Sequence, residues 1–300
     1  MLRAATRGSA LARWQTDHVI ALLGVDVEVV VVSTEGDRRT DVPIEAIGGR
    51  GVFVKEVQAA VLDGRADFAV HSAKDLPSST EQQPEGLVIG CIPERGDPRD
   101  VLVGSTLDGL PVGGLVATGS VRRRAQLANL RPDLSFTGLR GNIETRLAKA
   151  KDFDAIVMAA AALHRLDKDD EIAELLAPEV LVPQVAQGAL AIECRADDAD
   201  VLSALAAIEH TPSRRAVDAE RAFLAELGGG CDLPVGALAQ PTGDDGRALE
   251  LRGLIASYDG RIVLRDRVQG IDPAALGREL ATVLLDGAGA RVLLDGSLGR

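Results

Sequence analysis

The sequence predicts an α/β fold: two consecutive parallel-sheet domains, then a small α+β domain with a three-stranded antiparallel sheet. Three observations carry this reading. Up to about residue 188, short β-branched runs alternate with stretches of helical period, as in chains that lay strands and helices down in turn. Beyond that point the pattern changes to a pair of helices followed by three strand-like runs. The 300 residues, 46% hydrophobic and 26% charged, exceed one ordinary domain and can bury several cores.

The elements follow in order. "LRAAT" is a short apolar run, a helical stretch extends from Ser9 to about Leu23 where Gly24 ends it, and "VEVVVVS" is a β-branched strand. This is a β-α-β unit. The segment "TEGDRRTDVPIEAIGGRG" is charged, rich in turn formers and without a period, so it reads as a long mobile loop of the lid type. A helix around 52 to 63 and the strands "ADFAVHS" and "LVIGCI" complete the first series. The second series is "LVATGS", a helix over 121 to 130, "LSFTGL", a helix over 143 to 150, and "DAIVMAA", with the junction near "PERGDPRD". After "LVPQVAQGALAIECR" come a strand at 189 to 194 and helices near 198 to 208 and 213 to 227. The runs "GGGCDLPVGALAQ", "RALELRGLIAS" and "RIVLRDRVQG" form the meander, and a helix from about Pro273 to Leu285 closes the chain.

Composition narrows the function. A net charge of -12 argues against a general polyanion binder, and aromatic residues at 2% leave few platforms for stacking bases, so no nucleic-acid partner is expected. No run approaches the roughly 18 apolar residues of a membrane span, and "MLRAATRGSA" lacks the apolar core of a signal peptide, which together predict a cytoplasmic protein without a membrane partner. Cys91, Cys194 and Cys231 are odd in number and lack CxxC spacing, and the four histidines do not cluster, so neither a disulfide framework nor a metal site is expected.

Arginines recur at three strand-to-helix junctions. "ATRGSALARW" puts Arg7 beside the N-cap candidate Ser9, "ATGSVRRRAQL" puts Arg122, Arg123 and Arg124 in the first turn after Ser120, and "GLRGNIETRL" puts Arg140 before Asn142 with Arg146 one turn in. A helix N-terminus disfavours an exposed cation by about 0.3 to 1 kcal/mol. A bound anion reverses that sign. In doubly wound sheets such junctions lie at the carboxyl ends of strands, so the three are expected to line one cleft, with Arg124 left to the surface. A solvated surface arginine is the plain alternative at any single junction.

"FAVHSAKDLPSS" places Lys74 and Asp75 on a loop just past a strand ending near Ser72. A carboxylate there can stabilise a developing cation or move protons, with Lys74 beside it, whereas Asp before Leu-Pro is also an ordinary turn former. His71 reads as an ordinary strand-end residue.

Seven stretches, "RAATRGSALARWQ", "GGRGVFVKEVQ", "HSAKDLP", "TGSVRRRAQL", "LRGNIETRL", "QGALAIECR" and "GGGCDLPVGA", resemble in order and separation the hydroxymethylbilane synthase (porphobilinogen deaminase) family. The likeness runs from about residue 3 to beyond residue 236. It implies a transferase of tetrapyrrole (haem) biosynthesis that joins four porphobilinogen molecules head to tail, releasing ammonia at each step and hydroxymethylbilane by hydrolysis. It implies that Cys231 carries a dipyrromethane cofactor through a thioether, in a glycine loop that leaves the sulfur accessible. Cys91 and Cys194, within apolar strands, read as small buried hydrophobes.

The same resemblance assigns the charged residues. Each pyrrole carries an acetate and a propionate, and Lys74, Ser120, Arg122, Arg123, Arg140 and Arg146 are implied for the cofactor, Arg7, Ser9, Arg165 and Gln187 for the substrate. Asp75 is implied as the catalytic carboxylate beside the azafulvenium-type cation left by loss of ammonia. Lys55 is read as a partner of substrate carboxylates or as a solvated lysine, Phe53 as an apolar wall beside the rings or as helix packing.

The architecture implied is two domains resembling periplasmic binding proteins with two crossings between them, and a third carrying the cofactor loop. The boundaries expected are 1–93 with 189–210, 94–188, and 211–300, and the family leads to the expectation of a monomer. Two positions depart from the family pattern. Ala186 stands where the first glycine of Gly-Gln-Gly is usual, which is strained if that position needs positive φ, and Ala73 stands where a larger apolar residue is common. A two-lobed, non-catalytic binding protein for a small dicarboxylate would use the arginines but leave Cys231 idle.

Overall fold

The computed structural model of the chain describes residues 1–34, 54–79, 82–228, 233–243 and 246–294. In chain order, β1 (Leu2–Arg7), α1 (Ala10–Leu23) and β2 (Val27–Val32) form the opening β-α-β unit, and Gly24 stops α1 at φ +64 as a left-handed cap. They are followed by α2 (Lys55–Leu62), β3 (Phe68–Ser72), a 3₁₀ turn (Ala73–Asp75) and β4 (Leu87–Cys91). The next series is β5 (Asp100–Val103), β6 (Leu115–Ala117), α3 (Val121–Leu130), β7 (Ser135–Thr137), α4 (Ile143–Lys149), β8 (Ala155–Ala159), α5 (Ala160–His164) and β9 (Glu174–Leu176). Then come β10 (Leu190–Arg195), α6 (Ala199–Ala206) and α7 (Thr211–Glu226). The strands β11 (Val235–Thr242), β12 (Ala248–Ala256) and β13 (Val263–Gly270) precede α8 (Pro273–Thr282), a π turn and α9 (Arg291–Leu294).

The chain divides into two compact units, Met1–Gly96 with Gly188–Arg215, and Asp97–Gln187 with Ala216–Arg300. In the first unit one five-stranded sheet has the order β2-β1-β3-β10-β4. β1 runs parallel to β2 and β3, while β10 is antiparallel to β3 and β4. Successive residues alternate faces. Ala4, Phe68 and Val70 therefore meet Val19 of α1 and Val201 and Leu205 of α6, while Ala5 and Ala69 meet Val57, Ala60 and Val61 of α2. Helices cover both faces, which is why these strands carry small and branched apolar side chains on each side.

The second unit holds two sheets. Its five-stranded sheet, order β7-β6-β8-β5-β9, repeats the plan with β5 as the antiparallel member, paired to β8 and β9. Its three-stranded sheet, β11-β12-β13, is antiparallel throughout, as the meander predicts. A side chain at Gly253 would come within 2.6 Å of Leu280, so glycine lets α8 lie close on β12. Ala125 of α3, Val182, Leu254 and Ala256 form one small buried cluster between α3 and this sheet.

Candidate active site

In the first unit a pocket forms where β1 and β3 end. Ser9 caps α1 in an extended conformation, its Oγ accepting from the Ala12 N–H at 3.3 Å. Gln15, one turn further along α1, donates from Nε2 to Ser72 Oγ at 2.9 Å and so ties the helix to the end of β3. The chain then turns: the Ala73 N–H donates to the Ala189 carbonyl at 3.0 Å, Ala73 is buried, Lys74 is half-buried and Asp75 is exposed. Arg7, Ser9, Gln15, His71, Ser72 and Asp75 line this one pocket. Among the predicted residues the structure thus brings together Arg7, Ser9 and Asp75.

Behind its wall, Gln58 donates from Nε2 to Glu193 Oε1 and Oε2 at 3.1 and 2.8 Å. His71 Nε2 lies 3.1 Å from Glu193 Oε2, within ion-pair distance but outside hydrogen-bond geometry. All three side chains are buried.

The second unit builds its site around a residue that sequence reasoning passed over. Ser120 caps α3, its Oγ accepting from the Arg123 N–H, and the two arginines that follow turn inward instead of into solvent. Asp100, fully buried at the start of β5, receives them. Its Oδ1 accepts from Arg123 Nε at 3.0 Å and Nη2 at 2.7 Å and from Gln187 Nε2 at 2.9 Å; its Oδ2 accepts from Arg122 Nη1 at 2.7 Å. Arg122 Nη1 also donates to the Val182 carbonyl at 2.6 Å, and Arg123 Nη1 to the Val157 carbonyl at 3.0 Å.

Two guanidinium groups thus share one carboxylate. Burial on its own would push the Asp100 carboxyl up, but the charges of Arg122 and Arg123, with hydrogen bonds from Arg122 and Gln187, hold it far below the usual carboxylate range. Arg122 moves the other way from what a matched pair would show. Its burial, and the like charge of Arg123, lower it despite Asp100. Asp100 is lowered by having two cations beside it, Arg122 first by burial and then by the like charge of Arg123.

Arg122 also keeps Nε and Nη2 buried without a hydrogen-bond partner among the described residues. It lines a small pocket with Ser120, Gln184, Val185, Leu224, Leu233 and Val235. Leu233 lies two positions after Cys231, which is itself outside the described residues. Unsatisfied buried donors beside an excess positive charge fit a group that brings carboxylates, as a dipyrromethane with acetate and propionate side chains does.

The remaining predicted residues lie as follows. Arg140 is half-buried before Gly141 (φ +120), Asn142 caps α4 by accepting from the Thr145 N–H at 2.8 Å, and Arg146 donates from Nε to the Gly141 carbonyl at 2.8 Å. Arg165 follows α5, and burial pulls its guanidinium down to about 10. Arg124 is exposed, as expected, and donates to the Tyr258 carbonyl at 3.2 Å. Lys55 is exposed at the start of α2. Phe53 and nearly all of the expected lid fall outside the described residues.

Cys91 and Cys194 are buried in the core of the first unit. Burial pushes their thiols up to about 12 and about 11, as suits inert hydrophobes rather than nucleophiles. Among the described residues no helix is long and apolar enough to cross a membrane.

Two family models match the chain: "Porphobilinogen deaminase, dipyromethane cofactor binding domain" over residues 2–203, and "Porphobilinogen deaminase, C-terminal domain" over residues 215–286. The chain is 49% identical to a porphobilinogen deaminase of Nitratidesulfovibrio vulgaris strain DP4, across 95% of this chain and 93% of that protein. It is 49% identical to one from a Roseiflexus species, strain RS-1, across 97% of each. Among solved structures it aligns with a Salmonella typhimurium periplasmic binding protein of high arginine specificity at 12% identity and a TM-score of 0.38, over 69% of this chain and 91% of that one.

Proposed function

The chain belongs to the porphobilinogen deaminase family, and on that premise we propose that it condenses four porphobilinogen molecules head to tail on a dipyrromethane held by Cys231 and releases hydroxymethylbilane by hydrolysis. The observation that carries the reading is the pair of buried guanidinium groups sharing the single carboxylate of Asp100. A protein that keeps an uncompensated buried charge has a use for an acidic ligand, and every ring of this substrate brings two carboxylates.

When bound, the dipyrromethane supplies the free pyrrole α-carbon to which porphobilinogen adds. The chain's own residues do the rest. Arg122 and Arg123, with Ser120, Lys74, Arg140 and Arg146, hold acetate and propionate groups of the cofactor, while Arg7, Ser9, Arg165 and Gln187 serve the substrate. The buried arginines are fixed by Asp100 and by backbone carbonyls, so they need little reorganisation when a carboxylate arrives. Asp75, exposed in its pocket, faces the cation that develops on the substrate's aminomethyl carbon as ammonia leaves, and takes part in moving the proton released when the new carbon–carbon bond forms.

The division expected from the sequence, with residues 211–300 as a cofactor-carrying third domain, belongs to this reading, as do action as a monomer and a place in the cytosol. The test is Asp75→Asn. Turnover of porphobilinogen is expected to fall at least about 100-fold while the chain stays folded. Near-normal turnover would remove Asp75 from its role.

A further inference from the structure

Gln184 to Gln187 form a four-residue turn, closed by the Gln187 N–H on the Gln184 carbonyl at 2.9 Å. Ala186 is its third residue. It has φ +59 and is fully buried, in the left-handed region that a type II turn reserves for glycine at this place. Something must hold it there. The Ala186 N–H donates to Glu220 Oε2 at 2.6 Å, and the other oxygen, Oε1, accepts from the Ala239 N–H of β11 at 2.9 Å. Glu220 lies on α7 and is fully buried. One carboxylate therefore pins the strained turn to β11.

The turn meets the surroundings of the arginines on both sides of Ala186. Val185 and Gln184 line the Arg122 pocket. Gln187 donates to the same Asp100 oxygen that accepts from Arg123, and to the Pro98 carbonyl at 2.8 Å. Just upstream, the backbone of β11 approaches so closely that a side chain at Gly236 would come within 2.7 Å of the Pro183 carbonyl and 3.2 Å of Arg122. Glu220 is thus linked to Asp100 and its two guanidinium groups by a hydrogen bond to the Ala186 N–H, the peptide bond from Ala186 to Gln187, and a hydrogen bond from the Gln187 side chain to Asp100.

We propose that Glu220 is a positioning residue for the arginine pair, acting by holding Ala186 in its left-handed conformation. The link to catalysis rests on the reading above that Arg122 and Arg123 hold pyrrole carboxylates. With glycine at position 186 the turn carries no such strain, so the clamp matters less. Residues in contact couple in stability whatever their role, so the readout that separates positioning from packing is KM.

The experiment is a double-mutant cycle on the full-length holoprotein, Glu220→Gln and Ala186→Gly singly and together. Glu220→Gln is expected to raise KM for porphobilinogen about tenfold, the scale of one lost charge-assisted hydrogen bond. In the Ala186→Gly background the same change is expected to raise it no more than about threefold. Equal factors in both backgrounds, or an unchanged KM in Glu220→Gln, overturn the proposal. Should Glu220→Gln alone fail to fold, the double variant decides: a folded, active chain supports the coupling and an unfolded one refutes it. The denaturant midpoint of each variant, which needs no turnover, is read in the same cycle. A wild type inactive toward porphobilinogen would defeat the functional reading while leaving the coupling between 186 and 220 measurable.

Discussion

Asp75 and Asp100 both stand at a strand terminus, yet their surroundings are opposite. Asp75 is exposed on a 3₁₀ turn, in a pocket whose other polar members are a half-buried arginine, two serines, a histidine and a glutamine. Asp100 is fully buried, with two guanidinium groups and an amide filling its lone pairs. The exposed acid keeps its oxygens available to a reacting molecule without a desolvation penalty. The buried one has its charge committed to fixing two cations, and what it presents to a ligand is positive. Two carboxylates of like chemistry thus differ by burial and by the cations placed around one of them.

Replacing each acid tests this contrast, and the largest effect is expected at Asp100. Asp100→Asn leaves two buried guanidinium groups without an anion and should destabilise the chain by about 3–5 kcal/mol, read from denaturant midpoints. The pH dependence has a definite sign. The folded value of Asp100 is depressed from 3.8, so its contribution is complete above that value and fades as pH falls below it, and Asp100→Asn should lose the corresponding part of acid unfolding. A variant as stable as wild type at neutral pH would break the contrast.

A second comparison is of caps. Ser120→Ala removes the acceptor for the Arg123 N–H and should cost about 1 kcal/mol, as should Asn142→Ala at the start of α4. Because Ser120 also orients the turn that carries Arg122 and Arg123, its removal should weaken porphobilinogen turnover as well as stability. The smallest effect on stability is expected at Asp75. Asp75→Asn should move the unfolding free energy by no more than about 0.5 kcal/mol, even though its turnover collapses. A large loss of stability there would mean that the acid is a structural turn former after all.

Periodicity made most of the fold legible, because strands covered on both faces and helices ended by glycine leave plain marks: α1 runs from its Ser9 cap to Gly24 as expected, and β11 to β13 pair in the expected meander. β5 escaped notice because "DPRDVLVG" opens on turn formers, and β9 because its "ELL" carries no β-branched residue and follows the charged run "DKDDE" closely. Asp100 was hidden as well. A buried acid repeats nothing along the chain, and only the cost of placing Arg122 and Arg123 at a helix start pointed to an anion, without saying that the protein supplies one. At Ala186 the sequence raised the right question, and its φ of +59 answers it: the position does need positive φ, and an alanine occupies it. Glu220, the carboxylate that holds it there, carried no mark at all.

Intact-mass analysis of the denatured chain, prepared from cells able to make porphobilinogen, tests the proposed thioether at Cys231 most directly. The wild-type chain should be heavier than its sequence by one covalent dipyrrole, and Cys231→Ala should have the mass of its sequence alone. A wild type of unmodified mass, or a dipyrrole that persists in Cys231→Ala, would contradict it.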